Sequence, residues 1–408
     1  MIRVIRATEE VSARTSKASV VLLILVVMGC AGMGSLPSTP TLEGTGADAV
    51  YYIYVGAESA DLIHRIRFGP EGLTIDQTTP VGEMAVETEG PHGLNVSPDG
   101  NYLYMTTAHG VPDGKLWKFH AGPDTLVAAP ILLGNFPATL DVTPDGLYAF
   151  IVNFNLHGEH VPSTVSVVYT PDLVEVDQIP TCTMPHGLRM ASDGLFVYSN
   201  CMMDDQLVEI DTRTFEVSRR FSVAKGSEAA LQGYQVGEII TGARGITGSL
   251  GANIREGMVD PTCSPTWAQP TPDGRSIFVA CNKGNEILIV DRASWTLEGK
   301  FPVPGGPYNL AISANGQILI ASLKGAGQVQ FFDATTGKSL GLLTSTTTVT
   351  HGVAVTPDSR YAFVSVEGKG AEPGKVDVYD LSVFELVGSV EVGQQAGGIT
   401  FWKMEPIR

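Results

Sequence analysis

The sequence predicts an all-β protein of seven four-stranded antiparallel blades closed into a ring. Three observations predict it. A phrase of about ten residues recurs six times, a strand-rich run follows each copy, and the unmatched pieces at the two ends complement each other. The copies are "PHGLNVSPDG" from Pro91, "PATLDVTPDG" from Pro137, "PHGLRMASDG" from Pro185, "PTWAQPTPDG" from Pro265, "PYNLAISANG" from Pro307 and "THGVAVTPDS" from Thr350. Their usual spacing is about 42 to 48 residues. A four-stranded unit of that period marks a β-propeller blade.

The leading residues are not part of the ring. Arg3, Arg6, Arg14 and Lys17 precede the apolar run Ala18 to Met28. That run is too short for a bilayer span, which takes about 20 residues, and fits a signal-peptide core. Residues 1–29 are expected to be a lipoprotein signal peptide and 30–48 a Pro/Gly/Ser/Thr-rich tether. The propeller is expected over 49–403.

Within it, Val50–Phe68 and Leu73–Val81 supply three strands that lack a first strand. Gln395–Lys403 supplies a first strand that lacks a blade. Joining them makes blade 1, closes the ring and removes exposed edges. Blades 2 to 7 then follow the six phrases in order. An insertion at about 224–262 separates blades 4 and 5, and its "SEAALQGYQV" is expected to start a short helix over the upper face.

These units resemble the YVTN-repeat family of bacterial seven-bladed propellers, which share the YVTN/WD40-like, nitrous-oxide-reductase-type architecture. The carrying phrases are "GLNVSPDGNYLYMTT" and "GVAVTPDSRYAFVSV". The stretch "VMGC" ending at Cys30 resembles a bacterial lipobox, which implies lipidation of Cys30 and a lipid anchor in the cell envelope, periplasmic or surface-facing. The architecture serves enzymes and binding scaffolds alike, so it does not decide function.

Charge narrows the partners. The chain carries a net −17, and removing a leader with four basic and two acidic residues leaves −19. Such a chain repels nucleic acid and anionic headgroups. A monomer is expected, touching the membrane only through its anchor.

In a blade the first strand lines the axis, and the face where it starts is here called the upper face. His92, His186 and His351 each occupy the second position of a first strand, in blades 2, 4 and 7. Around the ring that position reads Gly397, His92, Ala138, His186, Thr266, Tyr308 and His351. His109, His157 and His160 follow second strands and share the upper face. Three converging imidazoles suit zinc or copper, with those three as helpers. This is loosely similar to nitrous-oxide reductases, where first-strand histidines hold a copper cluster. Strand alternation argues the other way. It groups His92 with Leu94 and Val96 between blades, and leaves Asn95, Asp141, Arg189, Gln269 and Thr400 to line the channel.

Cys182, Cys201, Cys263 and Cys281 form an even set in an exported chain. Bridges Cys182–Cys201 and Cys263–Cys281 are expected, each joining the tops of first and second strands; thiolate metal ligation is the alternative. "GKSLG" from Gly337 matches G-x-S-x-G but falls in a strand-to-strand turn, without the strand-turn-helix setting of a hydrolase nucleophile. Three functions remain open: ligand or protein binding on the upper face, a copper- or zinc-dependent oxidoreductase, and a lactonase-type hydrolase.

Overall fold

The computed structural model describes residues 45–84, 86–109, 114–158, 161–232 and 260–407. The leader, Cys30, most of the tether, His160 and most of the insertion lie outside them.

Seven antiparallel sheets follow one another along the chain. Blade 1 combines Ala49–Ala57, Leu62–Gly69 and Gly72–Pro80 with the C-terminal strand Ala396–Pro406. The closing pair runs antiparallel from Ala57↔Ala396 to Ala49↔Pro406. Trp402 on that strand donates its Nε1–H to the Gly100 carbonyl of blade 2, 2.8 Å away, so the closure also grips the next blade.

Two blades depart from four simple strands. In blade 2 the outer strand is split into Thr125–Leu126 and Ile131–Leu132, both against Lys115–His120. Pro130 sits in the gap, where it has no N–H to donate. In blade 4, Ala229–Ala230 add a short fifth strand on Phe221–Ser222. The helix expected from "SEAALQGYQV" therefore does not start there; an open sheet edge captures the chain first.

The core lies between blades. One apolar cluster fills each of the seven junctions. At the closing junction Phe68 meets Tyr361 and Phe363 edge-on, with centroids 4.9 and 5.8 Å apart. Each such buried ring contributes roughly 1.5–3 kcal/mol. Residues on both faces of every blade are thus apolar, which explains the dense hydrophobic runs.

The Pro-Asp-Gly phrase builds the lower-face turn. Asp99 Oδ1 accepts from Ser97 Oγ at 2.5 Å and from the Asn101 amide at 3.0 Å. Gly100 follows at φ +73°, a conformation that disfavours side chains.

Both disulfides form as paired above, with Cα separations of 5.7 Å for Cys182–Cys201 and 4.5 Å for Cys263–Cys281. One detail differs. Cys182 lies on the outer strand of blade 3, Val174–Thr183, where it pairs with Ser163. Its bridge therefore staples blade 3 to blade 4 instead of joining two strands of one blade. Two disulfides point to an oxidising, extracytoplasmic compartment. Among the described residues no helix is long and apolar enough to cross a membrane.

Candidate functional site

The site begins with an irregularity in the first strands. In blades 2, 4, 6 and 7 the ladder to the second strand slips between the first and fourth residues, for example between Pro91 and Leu94. In blades 2, 6 and 7 a hydroxyl from the second strand replaces the missing partner. Thr106 Oγ1 accepts the Gly93 amide and Ser365 Oγ the Gly352 amide, both at 2.9 Å. The slip resets side-chain alternation, since an extra residue redirects the strand. Simple alternation consequently fails for His92. Its ring contacts Phe136 of blade 3 at 5.2 Å and His351 of blade 7 at 5.9 Å. The histidines point to the axis, not into their own blades. The glycine after His92 has a physical cause too: a Cβ on Gly93 would stand 2.7 Å from the Ala138 carbonyl.

A second ring of residues completes the mouth. These follow the second strands, in loops that return to the upper face. Blade 1 gives Glu58, blade 2 His109, blade 3 His157, blade 6 Lys324 and blade 7 Glu367. Glu58 is the hub. It accepts from His92 Nδ1 at 2.7 Å, His109 Nε2 at 3.2 Å and Gln395 Nε2 at 3.1 Å. Its side chain is only 3% exposed. Gly397 makes this possible, because a Cβ there would collide with Glu58 Oε1. Burial works against the charged form. The adjacent His92 and the bonds from His109 and His92 outweigh it, holding the carboxyl well below the usual range.

From Glu58 a chain of bonds runs outward. His109 Nδ1 meets His157 Nε2 at 3.3 Å, and His157 is exposed. Phe136 stands edge-on to His92, His109 and His157 at 4.9–5.3 Å and fixes all three.

The opposite side is neutral by contrast. His186 Nδ1–H donates to the Thr266 carbonyl at 3.0 Å, and Tyr308 O–H donates to His186 Nε2 at 2.8 Å. Burial pulls the His186 pKa down to about 3. Burial, then nearby Lys324, pushes His351 well below its ordinary value. Burial, then Glu367 and Glu58, raises Tyr308 well above its own. Lys324 pairs with Glu367 at 2.7 Å and lies 4.3 Å over the Tyr308 ring. Burial raises the Glu367 pKa despite that partner.

The proposed metal trio is thus near the axis but differently engaged. His186 spends both ring nitrogens on Thr266 and Tyr308, His92 faces Glu58, and His351 lies 3.6 Å from Glu367. Among the described residues no three His, Cys, Asp or Glu side chains are placed to hold one ion. The four cysteines are committed to disulfides.

Of the five channel positions, three come together. Asn95 Nδ2 donates to Asp141 Oδ1 at 2.9 Å. Asp141 Oδ2 accepts the Met190 amide at 2.8 Å, beside Arg189. The Arg189 guanidinium lies 4.4 Å over Trp267. Gln269 turns back to the Pro270 carbonyl, 3.0 Å away. Thr400 stands opposite Tyr54 in the closing strand pair.

Glu58, Lys324 and Glu367 escaped the sequence reading. The available signal was positional: each follows a second strand, as His109 does.

No family model matches the chain, and no curated protein matches it. Solved structures do. One is a protein from Lactobacillus plantarum, 14% identical, covering 87% of this chain and 100% of that one, with TM-score 0.64. Another is hydrazine synthase of Kuenenia stuttgartiensis, 14% identical, covering 86% and 100%, with TM-score 0.58. A third is a Bacteroides fragilis protein provisionally assigned as a 6-phosphogluconolactonase, 17% identical, covering 88% and 99%, with TM-score 0.58. The chain is a seven-bladed β-propeller. At these identities the likeness speaks for the architecture of the propeller and not for its chemistry.

Proposed function

We propose that the propeller is an exported, lipid-anchored protein of YVTN type that binds a small hydrogen-bonding ligand at its upper axial mouth. The observation that carries the reading is Glu58. A buried ionised carboxylate is costly unless paired and hydrogen-bonded. Here three donors and a dedicated glycine serve it. It orients His92 through Nδ1, which turns the other ring nitrogen away from the carboxylate. An imidazole oriented this way is a good donor or acceptor for a ligand. Aromatic walls from Phe136 and Tyr308 give the mouth a fixed shape, as small-molecule sites need.

The reading is tested by screening small ligands for thermal stabilisation of wild type, Glu58→Gln and His92→Ala. Ligands that stabilise wild type alone support it. Stabilisation that survives both substitutions overturns it. Cys30→Ser tests the anchor: the variant is expected in the soluble fraction, and unchanged membrane association defeats lipidation.

The Glu58–His92 pair favours a second reading, hydrolysis of a small ester or lactone with His92 as general base. Turnover of such substrates that His92→Ala abolishes distinguishes hydrolysis from binding alone. Metal content after periplasmic expression tests the copper or zinc oxidoreductase; stoichiometric metal would displace both readings.

A further inference from the structure

Between the three first-strand histidines the axis holds a small, partly open space of about 30 Å³. A water needs about 10–15 Å³ by the same measure, so the space is the size of two or three water-sized bodies. Its lining includes His351, Asn309, Trp267 and Arg189.

Three of these four carry buried polar atoms with no partner among the described residues. Trp267 Nε1, Asn309 Oδ1 and His351 Nδ1 make no hydrogen bond, and the three residues are 4%, 4% and 6% exposed. Leaving a buried donor or acceptor unmade costs about 1–3 kcal/mol each. Three such costs around one small space indicate a bound species, not a defect.

The charge in the wall decides which species. Arg189 is half-buried, and its side chain donates only to the carbonyl of its neighbour Leu188, at 3.1 Å. The nearby carboxylate, Asp141, is committed elsewhere: Oδ1 to Asn95 and to the Val142 amide, Oδ2 to the Met190 amide. The carboxylate above, Glu58, is already capped by its three donors. Arg189 therefore faces the axis as a guanidinium with spare donors. Trp267 adds an indole N–H, which can only donate. Asn309 makes no side-chain hydrogen bond, and its amide can turn either end to the space. His351 turns Nε2 toward Glu367, 3.6 Å away, and leaves Nδ1 as the ring nitrogen facing no protein partner among the described residues.

We propose that this axial space is a binding site for a small inorganic anion of halide size. Arg189 supplies the charge. Trp267 supplies a directed N–H donor, and the Asn309 amide, turned to present Nδ2, supplies a second. The site adjoins the Glu58 mouth and shares the His92 and His186 rings with it, but its anion-binding groups are not those that hold Glu58.

The test is a bromide titration of the purified protein at constant ionic strength with gluconate as the balancing anion. Crystals grown in bromide give the position. The expected results are a saturable rise in melting temperature and one anomalous peak within hydrogen-bonding distance of Trp267 Nε1. Arg189→Met is expected to weaken bromide binding by roughly tenfold or more. Trp267→Phe keeps the ring and removes one donor, so it is expected to weaken binding without unfolding the blade. It serves where Arg189→Met fails to fold. An anomalous map without a peak on the axis, with an ordered water there at saturating bromide, overturns the proposal. So does bromide affinity unchanged in Trp267→Phe.

Discussion

The two ends of the first strands obey opposite rules. At the lower face one device is repeated. Asp99, Asp145, Asp273, Asn315 and Asp358 each accept a hydroxyl two residues before and an amide two residues after. At the upper face the equivalent positions vary, with histidine in blades 2, 4 and 7 and Gly397, Ala138, Thr266 and Tyr308 in the others. Where a repeat keeps its chemistry it is building turns. Where the repeat breaks, residues from separate blades have become parts of one arrangement. Glu58, His92 and His109 come from two different blades, and none means much without the others.

The first way to break the comparison removes the frame that both faces share. Deleting residues 395–408 takes away the strand that pairs with Ala49–Ala57. It also removes Gln395 and Gly397 from the mouth. The truncated protein is expected to unfold or aggregate, because an edge and a torn junction are exposed together. A soluble truncation with an unchanged, cooperative melt contradicts ring closure as the source of stability.

The disulfides come next, and both sit at the upper face. Each closes a loop of 18 or 19 residues. The chain-entropy estimate gives about 3 kcal/mol for a loop of this size. Replacing Cys182 and Cys201 together by Ser is expected to cost that much in denaturant melts. Because this bridge crosses blades, its loss is expected to loosen the junction of blades 3 and 4, seen as faster amide exchange there. Uniform exchange with unchanged stability would show the bridge to be idle.

Acid sharpens the comparison, because the buried upper-face histidines titrate in a different window from the turn carboxylates. His186 has a folded pKa of about 3, below its unfolded value near 6.5. The unfolded chain then binds the proton first. The stability held by the neutral ring is complete above pH 6.5 and drains away as pH falls toward 3. His351 acts in the same direction. Glu58, with its pKa depressed, begins to lose its contribution only below about pH 4.3, the unfolded value. The lower-face turns act late as well. The Ser97 hydroxyl holds Asp99 below its ordinary value, and Thr271 does so for Asp273. Wild type is expected to lose stability from pH 6.5 downward. His186→Gln is expected to make the part between 6.5 and 4.5 shallower, with the His351 share remaining, and to leave the lower limb. An unchanged profile would mean that His186 is not held neutral.

The same contrast explains how much was legible in the sequence. The turns repeat, so "SPDG", "TPDG" and their variants "ASDG", "SANG" and "TPDS" located six blades, and the complementary chain ends supplied the seventh. The cysteine pairing followed from the mirrored positions of each pair about a turn. The slip after Pro91 was not legible, because nothing in "PHGLNV" marks the point where Thr106 replaces a ladder carbonyl. Alternation therefore assigned His92 to the wrong side. Glu58 was not legible either. It stands in a three-residue 3-10 turn, the one such turn among the described residues, so only its place after a second strand links it to His109. Its role depends on Gly397, more than 300 residues away in sequence.

The smallest effect tests whether the lower face is repetition and nothing more. Blade 7 departs there by one residue, with Ser359 where Gly100 and its equivalents stand. Ser359 takes the same left-handed conformation, at φ +62°. A non-glycine residue there costs about 1 kcal/mol or somewhat more. Ser359→Gly removes that cost, but it also removes a bond, since Ser359 Oγ accepts the Asn315 amide of blade 6 at 3.1 Å. That bond is exposed, and an ordinary hydrogen bond contributes about 0.5–1.5 kcal/mol net, with exposed ones at the low end. The two terms nearly cancel, with a slight balance toward glycine. Ser359→Gly is accordingly expected to shift stability by less than about 1 kcal/mol, upward, and to leave ligand binding at the mouth unchanged. A clear loss of stability would show that the blade 6 to blade 7 bond outweighs backbone strain. A change in binding would mean that the lower turn communicates with the upper mouth along the first strand, and the division between a repeated scaffold and a singular site would fail at blade 7.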